Sequence, residues 1–224
     1  MNGGRQLVLD LGAAPRMGRE DFMQTEGNAA ALQAVDSWPD WPERRMILAG
    51  PSGSGRSHLA AIWQTETRAA ALSGLTLKLP EQAAAYAIDD ADAVAGEPRR
   101  EEALFHLLNR ARAEGAPVLM TARDTPGTWG IALPDLQSRL LACAVTHLDR
   151  PDDTLLCMSL VKLGEERQLM LDPGTVDYLV ARMDRSVSFA HQIVDALDYE
   201  AYSRQKRVSR TMAAEVLANL QQHR

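Results

Sequence analysis

Gly50-Pro-Ser-Gly-Ser-Gly-Arg-Ser57 stands between a short apolar run, Met46-Ile-Leu-Ala49, and a stretch with helical spacing from Ser57 to about Ala71. A glycine-rich loop between a buried strand and a helix lets backbone N–H groups wrap phosphate oxygens, and the helix adds its positive end. Gly50, Gly53 and Gly55 supply backbone freedom, Pro51, Ser52 and Ser54 complete the loop, and Arg56 brings a cation. Ser57 offers a hydroxyl to Mg²⁺, and His58 follows as a further candidate contact to nucleotide. The competing reading is a glycine turn that binds nothing. Lysine is the usual residue of this pattern at the place of Arg56, and the planar arginine fork is bulkier than an ammonium group. The expectation is therefore a binder of ADP or ATP with Mg²⁺ whose own hydrolysis is weak or absent.

Downstream, Tyr86-Ala-Ile-Asp89-Asp90 is a small apolar strand ending in two carboxylates. A phosphate loop needs an acid on a neighbouring strand to hold the metal and its water shell, and Asp89 fits that part. Asp90 falls where a water-activating base is needed, one methylene shorter than glutamate. An acidic exit from a strand is the alternative. Further out, Leu75-Thr-Leu-Lys-Leu79 alternates like a strand and Ala85–Ile88 reads as another. Pro98 to Glu114 has helical spacing ending at Gly115, followed by a buried strand over Val118–Thr121, a short helix over Leu133–Leu141 and a last strand over Ala142–Leu148. Strands alternating with helices predict a parallel, doubly wound sheet. An earlier helix is expected at about 28–37, broken by Trp38-Pro-Asp-Trp-Pro42.

After Pro151 the pattern becomes all helical, at about 152–163, 173–183, 186–204 and 209–222. The expected organisation is a tail over 1–12, an α/β domain over 13–150 and a helical domain over 151–224.

The chain has 224 residues, 46% hydrophobic and 24% charged, with a formal net charge of −6. That balance argues against a broad nucleic-acid face. The basic residues Arg204, Lys206, Arg207 and Arg210 read as a solvated turn rather than a contact surface. No run approaches the roughly 18 apolar residues of a membrane span, and Met1-Asn-Gly-Gly-Arg5 lacks a secretory stretch, so the expected compartment is the cytoplasm. Cys143 and Cys157 read as buried free thiols rather than a disulfide or a metal site.

With this loop, the Ile88-Asp89-Asp90 strand end and the helical C-terminal part, the chain resembles the AAA+ family of DnaA, and within it the Hda-type regulators. Leu133-Pro-Asp-Leu-Gln-Ser-Arg-Leu140 resembles the segment holding that family's arginine finger, matched by Arg139; the competing reading of Arg139 is an ion pair on a helix surface. Leu148-Asp-Arg-Pro-Asp-Asp153 is similar to the start of the lid, and Leu171 to Tyr199 and Val208 to Leu217 follow it. The family brings a lid arginine toward the phosphates. Ser188 stands at the matching position, so Arg185 is the substitute, or else pairs with a surface carboxylate. Thr121 suits the sensor position, while Arg123 replaces an acidic residue, and the stretch before Asp89 is short enough to reduce one helix to a turn.

Gln6-Leu-Val-Leu-Asp-Leu11 is similar to the peptide by which Hda proteins dock on the DNA polymerase sliding clamp. Leu7, Leu9 and Leu11 would fill a groove while Gln6 bonds at its rim; an ordinary terminal strand is the alternative. The resemblance implies a regulator that binds nucleotide and clamp and promotes hydrolysis of DnaA-bound ATP by Arg139 in trans. It also implies no strong direct DNA binding, since the chain ends where DnaA continues into a helix-turn-helix domain. A stand-alone P-loop ATPase or helicase-loader-like protein, and a scaffold that binds no nucleotide, are the competing functions. The oligomeric state, a homo-oligomer included, stays open.

Overall fold

The computed structural model describes residues 17–222. Five parallel strands form one sheet in the order β2-β3-β4-β1-β5: β1 (Arg45–Ala49), β2 (Ala70–Ser73), β3 (Tyr86–Asp89), β4 (Val118–Ala122) and β5 (Ala144–His147). Successive residues of β1 serve opposite faces, as strand pleating requires. Ile47 joins Ile88, Met120 and the apolar stripe of α3 (Pro98–Glu114), together with Leu136 and Leu140 of α4 (Pro134–Leu141). Met46 and Leu48 instead pack with Leu59, Ile62 and Trp63 of α2 (Arg56–Thr67) and with Ala31, Leu32 and Val35 of α1 (Glu26–Asp36). Both faces of the sheet are covered, which is why its strands read as continuous apolar runs.

The C-terminal part is all helical: α5 (Asp153–Glu166), α6 (Pro173–Val180), α7 (Val187–Arg204) and α8 (Arg210–Gln222). These helices close around their own core, where Leu156, Leu160, Leu179, Phe189, Ile193 and Leu217 are buried together. The expected α/β P-loop sheet followed by a small helical lid is the observed architecture.

The sequence reading is corrected between α2 and β3. The helix expected to reach Ala71 stops at Thr67, because Arg68 adopts a left-handed conformation (φ 55°) and its N–H bonds to Gln64 O. Ala70–Ser73 is the true second strand, paired Ala70 to Tyr86 through Ser73 to Asp89. The alternation at Leu75–Leu79 is not a strand. Gly74–Thr76 forms a 3₁₀ turn, Leu77 is buried, and Leu75 and Leu79 are 56% and 51% exposed. The helix expected to shrink in this stretch is thus represented by a turn.

Cys143 is buried and Cys157 only half-buried, which corrects the second of the two buried-thiol readings; both are free. Burial pushes the Cys143 thiol up to about 11, so it stays protonated and unreactive at neutral pH. Arg45 lies inside β1, 2% exposed, and donates from Nη2 to Leu108 O at 2.7 Å.

Helix α6 carries the clearest acid-sensitive contact of the lid. Asp172, its N-cap, accepts from the Thr175 hydroxyl at 2.6 Å and from Thr175 N at 3.0 Å. The side-chain bond first, and the backbone bond next, hold its carboxyl below the usual range. A depressed folded value means that its stabilisation is present above the ordinary aspartate value of about 3.9 and is lost as pH falls through the folded value. Thermal unfolding should therefore show Asp172→Ala below wild type at neutral pH, the gap closing as the pH drops beneath the carboxylate range. A gap independent of pH would assign the effect to helix geometry alone.

Candidate functional site

The carboxyl ends of β1, β3 and β4 are adjacent in the sheet, and they carry the residues singled out by the sequence. This is where open parallel sheets bind ligands. The loop after β1 starts with Gly50 N bonded to Ala122 O at 3.1 Å, and ends where Arg56 opens α2. Gly53 and Gly55 take φ of +80° and +99°, a region that side chains rarely adopt, so the turn depends on glycine at both. Inside the loop, Ser54 and Arg56 are 5% and 7% exposed, and Ser54 Oγ and Arg56 Nη1 have no hydrogen-bond partner among the described residues. Buried donors without acceptors are costly, and an anion in the loop would take them.

Register brings the acids to the loop. Ile88 pairs with Met120 on β4, which places Asp89 beside Thr121. Thr121 is 1% exposed, donates its hydroxyl to Asp89 Oδ1, and accepts from Asp90 N at 2.9 Å. Ser57 Oγ bonds to both Asp89 oxygens at 3.0 Å. Ser57, Asp89 and Thr121 are therefore one connected cluster. Asp90 adopts a left-handed conformation (φ 48°) and lies 3.9 Å from Arg56 Nη2. The loop cation thus faces the very carboxylate that the sequence suggested as a base. Among the described residues no group of three or more His, Cys, Asp or Glu gathers as a metal cage. A divalent cation here would be held by Ser57 and Asp89 with phosphate and water, as suits Mg²⁺.

Other residues from the sequence reading fall elsewhere. Arg185 gives Nη2 to Asp153 at 2.7 Å and Nη1 to Pro151 O at 3.1 Å, the surface pairing weighed as its alternative. Ser188 is exposed in the first turn of α7. His58 contacts the chain N-terminal to α1: its Nε2 is 3.1 Å from Gly18 O and its ring meets Phe22 edge-on at 5.4 Å. Arg139 lies in the last turn of α4 with its guanidinium 5.1 Å from the centre of the Phe105 ring, and it forms no ion pair among the described residues. Gln6, Leu7, Leu9 and Leu11 lie outside the described residues.

Two neighbours of the loop went unnoticed in the sequence. Phe22 has its ring 3.8 Å from where a Gly55 Cβ would lie, and Ser186 presses on Gly53. Neither is marked by a local motif; both reach the loop from distant segments. Lys162 of α5 joins the same N-terminal segment to the lid, with Nζ 3.2 Å from Glu20 O and 3.3 Å from Asp21 Oδ1. No helix among the described residues is long and apolar enough to cross a membrane.

No family model matches the chain. An uncharacterized protein of Haemophilus influenzae is 26% identical to it over 182 residues, which is 75% of this chain and 79% of the relative. Among solved structures, domain III of the Thermotoga maritima replication initiation protein DnaA is similar with a TM-score of 0.78 at 19% identity, covering 92% of this chain and 97% of that one. The replication initiator DnaA bound to AMPPCP and single-stranded DNA is similar with a TM-score of 0.70 at 16% identity, covering 86% of this chain and 68% of that one. The fold is that of a DnaA-like AAA+ protein.

Proposed function

We propose that the protein is a nucleotide-holding AAA+ regulator of replication initiation, which docks on the sliding clamp through residues 6–11 and uses Arg139 to promote hydrolysis of ATP bound to DnaA. The observation that carries this reading is the contrast between two arginines. Arg56, in the chain's own loop, is buried against Asp90, whereas Arg139 is half-buried on α4 with no carboxylate partner among the described residues. A guanidinium on a helix surface, steadied by one aromatic face, is suited to approach a neighbouring subunit. There its planar fork stabilises charge on phosphoryl oxygens of that subunit's nucleotide.

The loop residues fit the phosphates of a nucleotide, with Ser54 and Arg56 supplying the unpartnered donors and Ser57 and Asp89 the Mg²⁺ side. Bound there, Mg²⁺ would neutralise phosphate charge and fix the phosphates in register. The Asp90 carboxylate faces the loop cation Arg56 at 3.9 Å rather than standing free beside the loop, which favours a nucleotide that is retained over one that is turned over. Thr121 keeps Asp89 oriented from the opposite side.

A second reading, a stand-alone P-loop ATPase or helicase-loader-like protein, draws on the complete Ser57–Asp89–Thr121 cluster. ATP hydrolysis by DnaA, measured with clamp loaded on DNA, separates the two. Under the leading reading this protein accelerates it, purifies with ADP attached, and loses its effect when residues 1–11 are removed. Absence of acceleration, together with intrinsic turnover that survives that truncation, would transfer the case to the second reading.

A further inference from the structure

Helix α7 begins directly against the phosphate loop. Ser186, its N-cap, is so close to Gly53 that a Cβ on that glycine would lie 2.7 Å from both Ser186 Cβ and Ser186 Oγ. The Ser186 hydroxyl accepts from Phe189 N at 3.3 Å, which caps the third position of the helix. Val187 and Ser188 occupy the first two positions, where a backbone N–H has no acceptor within the helix. The 18 residues of α7 bring the positive end of their peptide dipoles to the same point.

The loop that α7 touches holds the two orphaned donors. Ser54 adjoins Gly53 in the chain, and the Arg56 guanidinium lies with Nη2 3.9 Å from Asp90, the residue after β3, and with Nη1 unpartnered. Both residues are more than nine-tenths buried, at 5% and 7% exposure. Unpartnered donors inside the loop, and a helix amino end set on its rim, ask for one acceptor-rich anion. Neither lid residue weighed for a phosphate contact in the sequence supplies a free cation to it. Arg185 is drawn away to Asp153 and Pro151, and Ser188 has no charge.

We infer that the amino terminus of α7 takes the place of a lid arginine: the backbone N–H groups of Val187 and Ser188 donate to phosphate oxygens of a nucleoside di- or triphosphate seated in Gly50–Ser57. The inference rests on the nucleotide reading of that loop. The lid then senses phosphate through its backbone, and the loop glycine at 53 is what lets the helix end come close enough.

Proline at 187 tests the donor itself. It removes one N–H, is favoured at the first helical position, and suits the extended backbone of Ser186 before it (φ −152°, ψ 127°). Full-length wild type and Val187→Pro are titrated with N-methylanthraniloyl-ADP in the presence of Mg²⁺, and unfolding is followed without nucleotide. The expected result is binding weakened about ten-fold or more, as for loss of a charge-assisted hydrogen bond, with unfolding unchanged. Equal affinity in the two proteins overturns the inference.

Should Val187→Pro unfold, Ser186→Asp and Ser186→Asn carry the test. Both side chains cap a helix as serine does and have nearly the same shape, so they differ only in charge. The aspartate variant is expected to bind about ten-fold or more weakly than the asparagine variant; equal binding overturns the inference. If wild type binds no nucleotide at all, the nucleotide reading fails and takes this inference with it. That outcome is distinct from a wild type that binds and variants that bind alike.

Discussion

Arg139→Ala is expected to reduce the stimulated rate of DnaA ATP hydrolysis about a thousand-fold or more, to the rate DnaA shows alone. Arginine fingers supplied in trans are worth 10³–10⁵ in rate, because the guanidinium meets charge that develops only at the transition state. The variant should remain folded. Helix α4 is anchored by buried Leu136 and Leu140, and truncating Arg139 forfeits a stacking contact with Phe105 worth only about 0.5–1 kcal/mol at a half-exposed position. Retention of ADP should also be unaffected, since Arg139 lies outside the Ser57–Asp89–Thr121 cluster. Arg139→Lys should recover little, because a point charge lacks the fork. A phosphate-release assay with DnaA, clamp and DNA reads all three proteins, and stimulation by Arg139→Ala equal to wild type would end the finger assignment.

Glu101→Ala is expected to lower the unfolding free energy by about 3 kcal/mol, the largest stability loss foreseen for a polar side chain of this molecule. Glu101 is 2% exposed in the first turn of α3, and its carboxylate accepts from three backbone donors. These are Gly96 N at 3.0 Å, Ala132 N at 3.0 Å and Leu133 N at 2.9 Å. Alanine strands these amides, and water can reach only part of the space. Glu101→Gln keeps an acceptor but turns an amide NH₂ toward the remaining donors, so an intermediate loss of about 1–2 kcal/mol is expected. Urea denaturation of the three proteins measures this directly. A change below about 1 kcal/mol for alanine would mean that the three bonds are replaced by solvent at no cost. Leu133 immediately precedes α4, so the same variant should blunt stimulation of DnaA by loosening the helix that carries Arg139.

Where a local rule sufficed, the fold could be read from residues alone. β1, the phosphate loop and the start of α2 are legible because an apolar run, spaced glycines and a helix follow one another without interruption. α3 is legible because Leu104, Leu107, Leu108 and Ala111 repeat at helical spacing and Gly115 stops them with φ 68°. The β2 region misled for an equally physical reason. Ala70-Ala-Leu-Ser73 has little intrinsic preference for a strand and becomes one by pairing with Tyr86–Asp89, whereas Leu75, Leu77 and Leu79 alternate without a partner strand to pair with. The end of α2 was missed because an arginine, not a glycine, takes the left-handed position there. In the candidate site, Ser57, Asp89 and Thr121 were legible because Ser57 opens the helix after the glycine loop, while Asp89 and Thr121 close short apolar runs that read as strands. The contact of Ser186 with Gly53 and the anchoring by Glu101 join segments far apart in the chain, and no spacing within a single element announces either.

The Gly18–Phe22 segment has a mechanical consequence. It is fastened to α2 through His58, which sits one residue after Ser57, and to the lid through Lys162. Any tension entering the molecule at its N-terminal side is therefore delivered to two anchor points, one on the helix that begins at the phosphate loop and one on the lid. Displacing this one segment would act on the sheet domain and on the lid at once, because a single short stretch of chain serves as the strap between them.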